Sequence, residues 1–230
     1  MSTNIGILAQ LFFLKKSANY LALLFMDFEI LASFVVATSI LAISPGPDNI
    51  FVLTQSIVHG RTYGIATVLG LMTGCMIHTT LVAFGISAII TKSPLLFLGI
   101  KILGAIYLLY LAYKVFRSSP EIVMNTDNVE KKSTSELFKI GFLMNVLNPK
   151  VTIFFMALFP GFLFSDELSS VFQFYILGGL FILTSLIIFS SIAILGGKAS
   201  EKIQESHLMK QSLKWLQIFV FVGIAVFILI

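Results

Sequence analysis

Charged residues are scarce in this sequence. Asp, Glu, Lys and Arg together make up 11% of its 230 residues, against roughly 25% in an average soluble domain. Apolar residues reach 57%, and phenylalanine alone occurs 23 times. Because so few polar groups cannot cover the surface of a soluble fold, the composition predicts a polytopic membrane protein.

Cysteine is nearly absent as well, since Cys75 is the single one and lies within an apolar run. One cysteine excludes an internal disulfide and a dithiol relay. No second histidine, second cysteine or carboxylate stands at ligand spacing, so we expect no metal site and no cofactor. The net charge of +4 comes from basic residues clustered between apolar runs, which is typical of orientation charges and not of nucleic-acid binding.

Six apolar runs are long enough to cross a bilayer, which takes about 20 residues at roughly 1.5 Å each. They cover approximately residues 28–56, 63–91, 94–114, 137–164, 170–196 and 213–230. The fifth run ends at Gly196-Gly197. The sequence therefore predicts an all-α membrane protein with six transmembrane helices.

One long polar stretch divides these runs into two sets of three. Residues 118–136 are poor in apolar side chains, which predicts a flexible linker without a fold of its own. We therefore expect a first three-helix unit at 26–117 and a second at 137–230.

Residues 1–25 do not fit either unit. Their apolar run is cut off by Lys15-Lys16 and is too short to span a membrane. They also lack the basic start and the cleavage site of a signal peptide. We expect a non-core leader or an interfacial segment, with the functional unit starting at Met26.

The loop charges predict an orientation. Basic residues concentrate in the loops between runs one and two, three and four, and five and six. These residues are Arg61, Lys114, Arg117, Lys131, Lys132, Lys139, Lys198, Lys202, Lys210 and Lys214. The loop between runs four and five carries Asp166 and Glu167 instead. The positive-inside rule then puts the basic loops in the cytoplasm. Both ends of the six-helix unit would lie on the outer side of the inner membrane.

Two of the six runs contain helix-breaking residues. The first breaks at Pro45-Gly46-Pro47, and the fourth breaks about a hundred residues later at Asn148-Pro149. Since each half has three spans, the second half would enter the membrane upside down relative to the first. Matched interruptions of this kind are typical of transporters built from two inverted repeats, with the site near the bilayer midplane.

The first break also carries a carboxylate, at Asp48. An aspartate at a span centre costs about 2.5–3.5 kcal/mol, and a proline inside a helix about 3 kcal/mol. Broken backbone cannot face lipid, so these residues should line an internal cavity. The structural alternatives are a proline kink without a transport role and an Asp48–Lys150 pair that only stabilises the fold.

The residue types at the two breaks suit a zwitterion. Pro47 and Pro149 lie near the first position of a new half-helix, and Asn148 can cap the second one. Free N–H groups there and Lys150 could bind a carboxylate. Asp48 could pair with an ammonium or carry a proton. Lys150 could equally extend to the cytoplasmic interface.

The second run supplies Gly70, Gly74 and His78, which recur every four residues and so share one helix face. The two glycines form a small-xxx-small pair that allows close helix approach. His78 would then face the bundle interior, either in a proton relay or in an interhelical hydrogen bond.

Three amides complete the candidate site. Gln55 lies seven residues after Asp48 on the same face, and Asn145 and Asn148 are three apart on another. Each could bind substrate, or it could bond to neighbouring helices.

The segments "ISPGPDNIFVLTQSIVHGRTYGI", "GLMTGCMIH" and "GFLMNVLNPKVTIFFMALFPGF" resemble the LysE/RhtB family of amino-acid exporters. The resemblance covers Met26 to Ile230. It implies export of an amino acid such as lysine, homoserine, threonine or leucine, driven by an ion gradient. The family's signature positions would be Pro45, Gly46, Pro47, Asp48, Asn49, Gly70, Gly74, His78, Asn148, Pro149 and Lys150.

We therefore expect a secondary active exporter of an amino acid or derivative, coupled to protons and working by alternating access. Its partners would be the amino acid, the proton and the lipid bilayer, and the sequence leaves a homodimer open. The alternatives are a passive small-solute channel or lipid scramblase, and a membrane enzyme. The enzyme has little support, because Asp48 with His78 is the only candidate catalytic pair.

Overall fold

The computed structural model describes residues 27–44, 46–118, 129–205 and 207–229. All regular secondary structure in these ranges is helical. The leader predicted at 1–25 and the break residue Pro45 lie outside the described residues.

The helices follow one another through short connections. They are α1 (Phe28–Ile43), α2 (Pro47–His59), α3 (Arg61–Leu81), α4 (Ser87–Lys92), α5 (Pro94–Arg117), α6 (Thr134–Val146), α7 (Pro149–Leu158), α8 (Ser170–Glu205) and α9 (His207–Leu229). A π-helical segment, Val82–Ile86, joins α3 to α4, and a 3-10 turn, Phe159–Phe162, follows α7.

Four helical stretches are each long and apolar enough to cross a membrane. They are Arg61–Ile90, Pro94–Arg117, Ser170–Gly196 and Lys210–Leu229. Two bent pairs add to them, because α1 meets α2 at 60° and α6 meets α7 with its 3-10 turn at 51°. The described residues thus contain four spans, or six if each bent pair is one span. The prediction of an all-helical, multi-pass membrane protein is confirmed, and the bends lie in the first and fourth predicted runs.

At both breaks the second half-helix begins with a proline. Ser44 is extended, with φ −60° and ψ 120°, as expected of a residue that precedes proline in the sequence. The following half-helix begins with Pro47 at its first position. At the second break Asn148 accepts a hydrogen bond from the Lys150 backbone N–H at 3.0 Å, and Pro149 begins α7. The predicted proline positions and the Asn148 cap are confirmed.

Two boundaries differ from the sequence prediction. Helix α6 begins at Thr134, three residues before the expected start at 137, because Ser133 and Glu136 form a capping box. Helix α8 continues through Gly196 to Glu205 instead of ending there. A helical glycine costs only about 1 kcal/mol, and a side chain at Gly196 would collide with Leu53 of α2.

Helices α3 and α6 pack closely through three glycines. A side-chain carbon at Gly70 would overlap the Phe138 carbonyl oxygen, and one at Gly141 would overlap that of Thr67. At Gly74 it would lie 2.7 Å from Asn145. The predicted role of Gly70 and Gly74 in close helix approach is confirmed.

Helix α8 contacts α1, α2 and α3, while α5 packs along α9. Phenylalanine fills the space between α8 and α7. The ring centroids of Phe155 and Phe159 are 4.2 Å apart, and those of Phe155 and Phe181 are 4.7 Å apart. This aromatic core fixes the second break against α8, next to the first.

Candidate functional site

A cavity of about 50 Å³ lies where the two helix breaks meet α3 and α8. Its lining residues are Leu41, Ala42, Gly46, Pro47, Asp48, Asn49, Leu71, Met72, Cys75, Asn145, Asn148, Lys150, Val151, Phe181, Ser185 and Phe189. The residues of the two predicted breaks are therefore brought together in space.

A hydrogen bond connects the two breaks directly. The Asn148 side-chain amide donates from Nδ2 to Asp48 Oδ2 at 3.1 Å. Its Oδ1 accepts the bond from the Lys150 backbone N–H that caps α7. Only this orientation of the amide satisfies both partners, because a carboxylate accepts and a backbone N–H donates. One side chain therefore caps a half-helix and positions the carboxylate of the other half.

Asn49 holds the first break together. Its Nδ2 donates to the Ala42 carbonyl oxygen at 2.7 Å, which is one of the carbonyls left without a helical partner at the end of α1. The bond joins the start of α2 to the end of α1, so the bend is fixed by a side chain that also lines the cavity.

Lys150 lines the cavity. Its Nζ lies 5.1 Å from the centre of the Phe221 ring and about 3.6 Å from where a Cβ on Gly46 would stand. A side-chain carbon at Gly46 would therefore be in ordinary van der Waals contact with the ammonium. Among the described residues the one ion pair within 4 Å is Lys132–Glu130, so Asp48 and Lys150 do not form a direct ion pair.

Asn145 and His78 form a second polar group beside the cavity. Asn145 Nδ2 donates to Cys75 Sγ at 3.4 Å, and His78 Nε2 lies 3.1 Å from the Asn145 carbonyl oxygen. Since a carbonyl only accepts, Nε2 carries the proton in this bond. His78 is buried, with 3% of its surface exposed, but it does not line the cavity. Of the two sequence interpretations, the structure contains the interhelical hydrogen bond.

Three of the predicted substrate-binding residues do not line the cavity or lie outside the described residues. Gln55 is buried but does not line the cavity, because seven helical residues carry it roughly 10 Å from Asp48. Pro149 begins α7 and is exposed. Pro45 is outside the described residues.

The sequence analysis missed the wall that α8 contributes. Phe181, Ser185 and Phe189 follow one another at intervals of four and line the cavity together. The spacing could have indicated a shared face, but serine and phenylalanine are common in membrane helices and gave no reason to choose this one. Leu71, Met72 and Cys75 of α3 form the facing wall.

The cavity therefore combines one carboxylate, one ammonium and the N-terminal ends of two half-helices within mainly apolar walls. Helix N-termini favour anions, and Asp48 favours a cation or a proton. Within the described ranges, no group of three or more His, Cys, Asp and Glu side chains could hold a metal ion.

A protein-family comparison matches most of the chain. The family described as LysE type translocator matches residues 39–230. The homoserine/homoserine lactone efflux protein of Salmonella typhimurium is 32% identical over 185 residues, which are 80% of this chain and 89% of that protein. The protein of the same name from Salmonella typhi has the same identity and coverage.

An uncharacterized membrane protein of Bacillus subtilis, YrhP, is 31% identical over 58% of this chain and 67% of its own length. No solved structure matches the chain.

Proposed function

Because the chain belongs to the LysE type translocator family, we propose that this membrane transporter exports homoserine or a similar small amino acid across the inner membrane. The substrate class is that of the Salmonella relatives, of which the chain covers 89%. Export would be driven by protons and would proceed by alternating access. Family membership points to a transporter and not to an enzyme.

The observation that carries the proposal is the meeting of the two breaks. Asn148 donates to Asp48 at 3.1 Å, and Lys150 lines the same cavity without pairing with Asp48. The unpaired Lys150 ammonium and the half-helix N-termini would bind the substrate carboxylate. Asp48 would bind the substrate ammonium, and we propose that it also carries the coupling proton.

Part of the helix packing supports a two-fold repeat, which three spans per half would make an inverted one. If the two halves are exchanged, α1 with α2 corresponds to α6 with α7, α3 corresponds to α8, and α5 corresponds to α9. The contact of α3 with α6 then has its counterpart in the contacts of α8 with α1 and α2, and α5 packs on α9. We infer that the halves rock about the cavity and that the Asp48–Asn148 bond between them changes during transport.

The basic loops set the proposed orientation. The rule that positive loops stay inside places Arg61 and Arg117 in the cytoplasm, with Asp166 and Glu167 outside. Export then runs from the side of the basic loops to the side of the acidic one.

The test is counterflow of radiolabelled homoserine in proteoliposomes, with and without an imposed proton gradient. Replacement of Asp48 by Asn keeps the shape but removes the charge, so we expect counterflow to fall about tenfold or more, the loss typical of a hydrogen bond to a charged group. Asp166→Asn, in the exposed outer loop, is the matched control and should transport normally. Wild-type rates in Asp48→Asn would refute the role of the carboxylate. Uptake that saturates but ignores the gradient would refute proton coupling.

A further inference from the structure

One wall of the cavity has an uneven composition. Phe181, Ser185 and Phe189 occupy one face of α8, so a single hydroxyl stands between two aromatic rings. Ser185 is 1% exposed, and within the described structure its Oγ has no hydrogen-bond partner. A buried hydroxyl without a partner is destabilising, which makes it an unusual residue for an apolar wall.

Many other helical hydroxyls in the described structure bond their own backbone, although Thr38 Oγ1 of α1 is also buried without a partner. Ser56, Thr79 and Ser191 each donate to the carbonyl four residues earlier, at 2.8, 2.9 and 2.8 Å. This bond is available to any serine in a membrane helix. Ser185 does not make it to Phe181, so its hydroxyl is left free to bond a molecule in the cavity.

The other neutral polar side chains at the cavity each make at least one hydrogen bond. Asn49 bonds Ala42, and Asn148 bonds Asp48 and the Lys150 backbone. Asn145 bonds Cys75 through its Nδ2, while its Oδ1 is buried and unpartnered. Apart from the charged groups of Asp48 and Lys150, two polar atoms at the cavity therefore have no hydrogen-bond partner, Ser185 Oγ and Asn145 Oδ1.

We propose that Ser185 determines specificity by hydrogen bonding the side-chain hydroxyl of a short hydroxy amino acid held in this cavity. The assignment rests on the proposed export function. It adds to that function the residue that recognises the side chain of the substrate. Asp48 and Lys150 hold the charged end, and Phe181 and Phe189 enclose the methylene groups. A serine hydroxyl both donates and accepts, so it can bond a substrate hydroxyl as the donor or as the acceptor.

The experiment uses two substrates that differ in one group. Norvaline has the chain length of homoserine but ends in a methyl group instead of a hydroxyl. Unlabelled homoserine and norvaline compete against radiolabelled homoserine in proteoliposomes with wild-type protein, Ser185→Ala and Ser191→Ala. Ser191 is the matched control, because it lies on the same helix, is exposed, and bonds its own backbone.

We expect wild-type protein and Ser191→Ala to prefer homoserine by about tenfold or more, the factor expected from one unmatched buried hydrogen bond. Ser185→Ala should reduce that preference to near equality while homoserine still competes. A preference that survives Ser185→Ala unchanged would overturn the assignment and leave the export function standing. Absence of homoserine counterflow in wild-type protein would overturn the export function itself.

If Ser185→Ala does not yield folded protein, two measurements decide the question. Ser185→Cys keeps the size but weakens the hydrogen bond, so it should lie between wild type and no preference. Equal competition by norvaline and homoserine in the wild type contradicts the proposal without any variant.

Discussion

Asn148 and Asp48, a hundred residues apart in the chain, are joined by a hydrogen bond of 3.1 Å. The bond connects the first residue before α7 with the first turn of α2, so it ties together the two points where the membrane helices break. Asn148 also caps α7. Its side chain therefore has a local role and a long-range role, and the two can be separated by mutation.

Replacing Asn148 by Ser should keep the cap and remove the bond to Asp48, because the serine hydroxyl is shorter but still a good cap. Replacing it by Ala removes both. We expect Asn148→Ala to lose about 1–2 kcal/mol of stability and Asn148→Ser to lose less, with transport impaired in both. Thermal unfolding in detergent and counterflow measure the two effects.

The matching control is a double-mutant cycle with Asp48→Ala. If Asn148 acts on Asp48, the loss of transport in the double variant should be smaller than the sum of the single losses. Additive losses would contradict a functional coupling across the breaks.

Lys150 should matter for substrates that carry a carboxylate. Homoserine has one and its lactone does not, so Lys150→Met should reduce homoserine transport strongly and lactone transport less. Competition by both compounds in proteoliposomes measures the difference. Lys92→Met, an exposed lysine at the end of α4, should leave both unchanged. Equal losses for the two compounds would show that Lys150 does not select the carboxylate.

The breaks could be predicted because their residue types are expensive at membrane depth and stand out against the apolar sequence. Proline and aspartate at 45–48 and Asn148-Pro149 point to a cavity through that cost alone. The same reasoning could not place Gln55, since sharing a helix face says nothing about distance along the helix. The structure puts it beyond the cavity.

Ser185 shows the opposite case. A serine costs little in a membrane helix because it usually bonds its own backbone, so its presence in the sequence carries almost no information. The proposed role of Ser185 rests on its unpartnered hydroxyl and on its position at the cavity. Both depend on how α8 packs against α3 and the two breaks. Gly141 is similar, because its role depends on the α3 backbone that lies against it.

Glycine substitutions should test the close packing of α3 on α6. A methyl group at Gly70 would overlap the Phe138 carbonyl, which is backbone and cannot rotate away. We expect Gly70→Ala to destabilise the protein by several kcal/mol or to prevent folding. Gly99→Ala in α5 is the control, because nothing lies within 4 Å of the added carbon. It should be neutral or stabilising by up to about 1 kcal/mol, as thermal unfolding in detergent would show. Similar losses at both positions would contradict the packing.

His78 should act through Asn145 and not as a carrier of the coupling proton. It is one helical turn from Cys75, donates to the Asn145 carbonyl, and does not line the cavity. Replacing it by Gln, which retains a side-chain N–H donor without titrating near neutral pH, should preserve transport and leave its dependence on pH unchanged. His78→Leu removes the donor and should lower thermal stability, with transport falling as Asn145 loses its position. Proteoliposome counterflow across a range of pH distinguishes the roles. If His78→Gln abolishes coupling to the proton gradient while counterflow without a gradient persists, the histidine carries the proton and the positioning role is wrong.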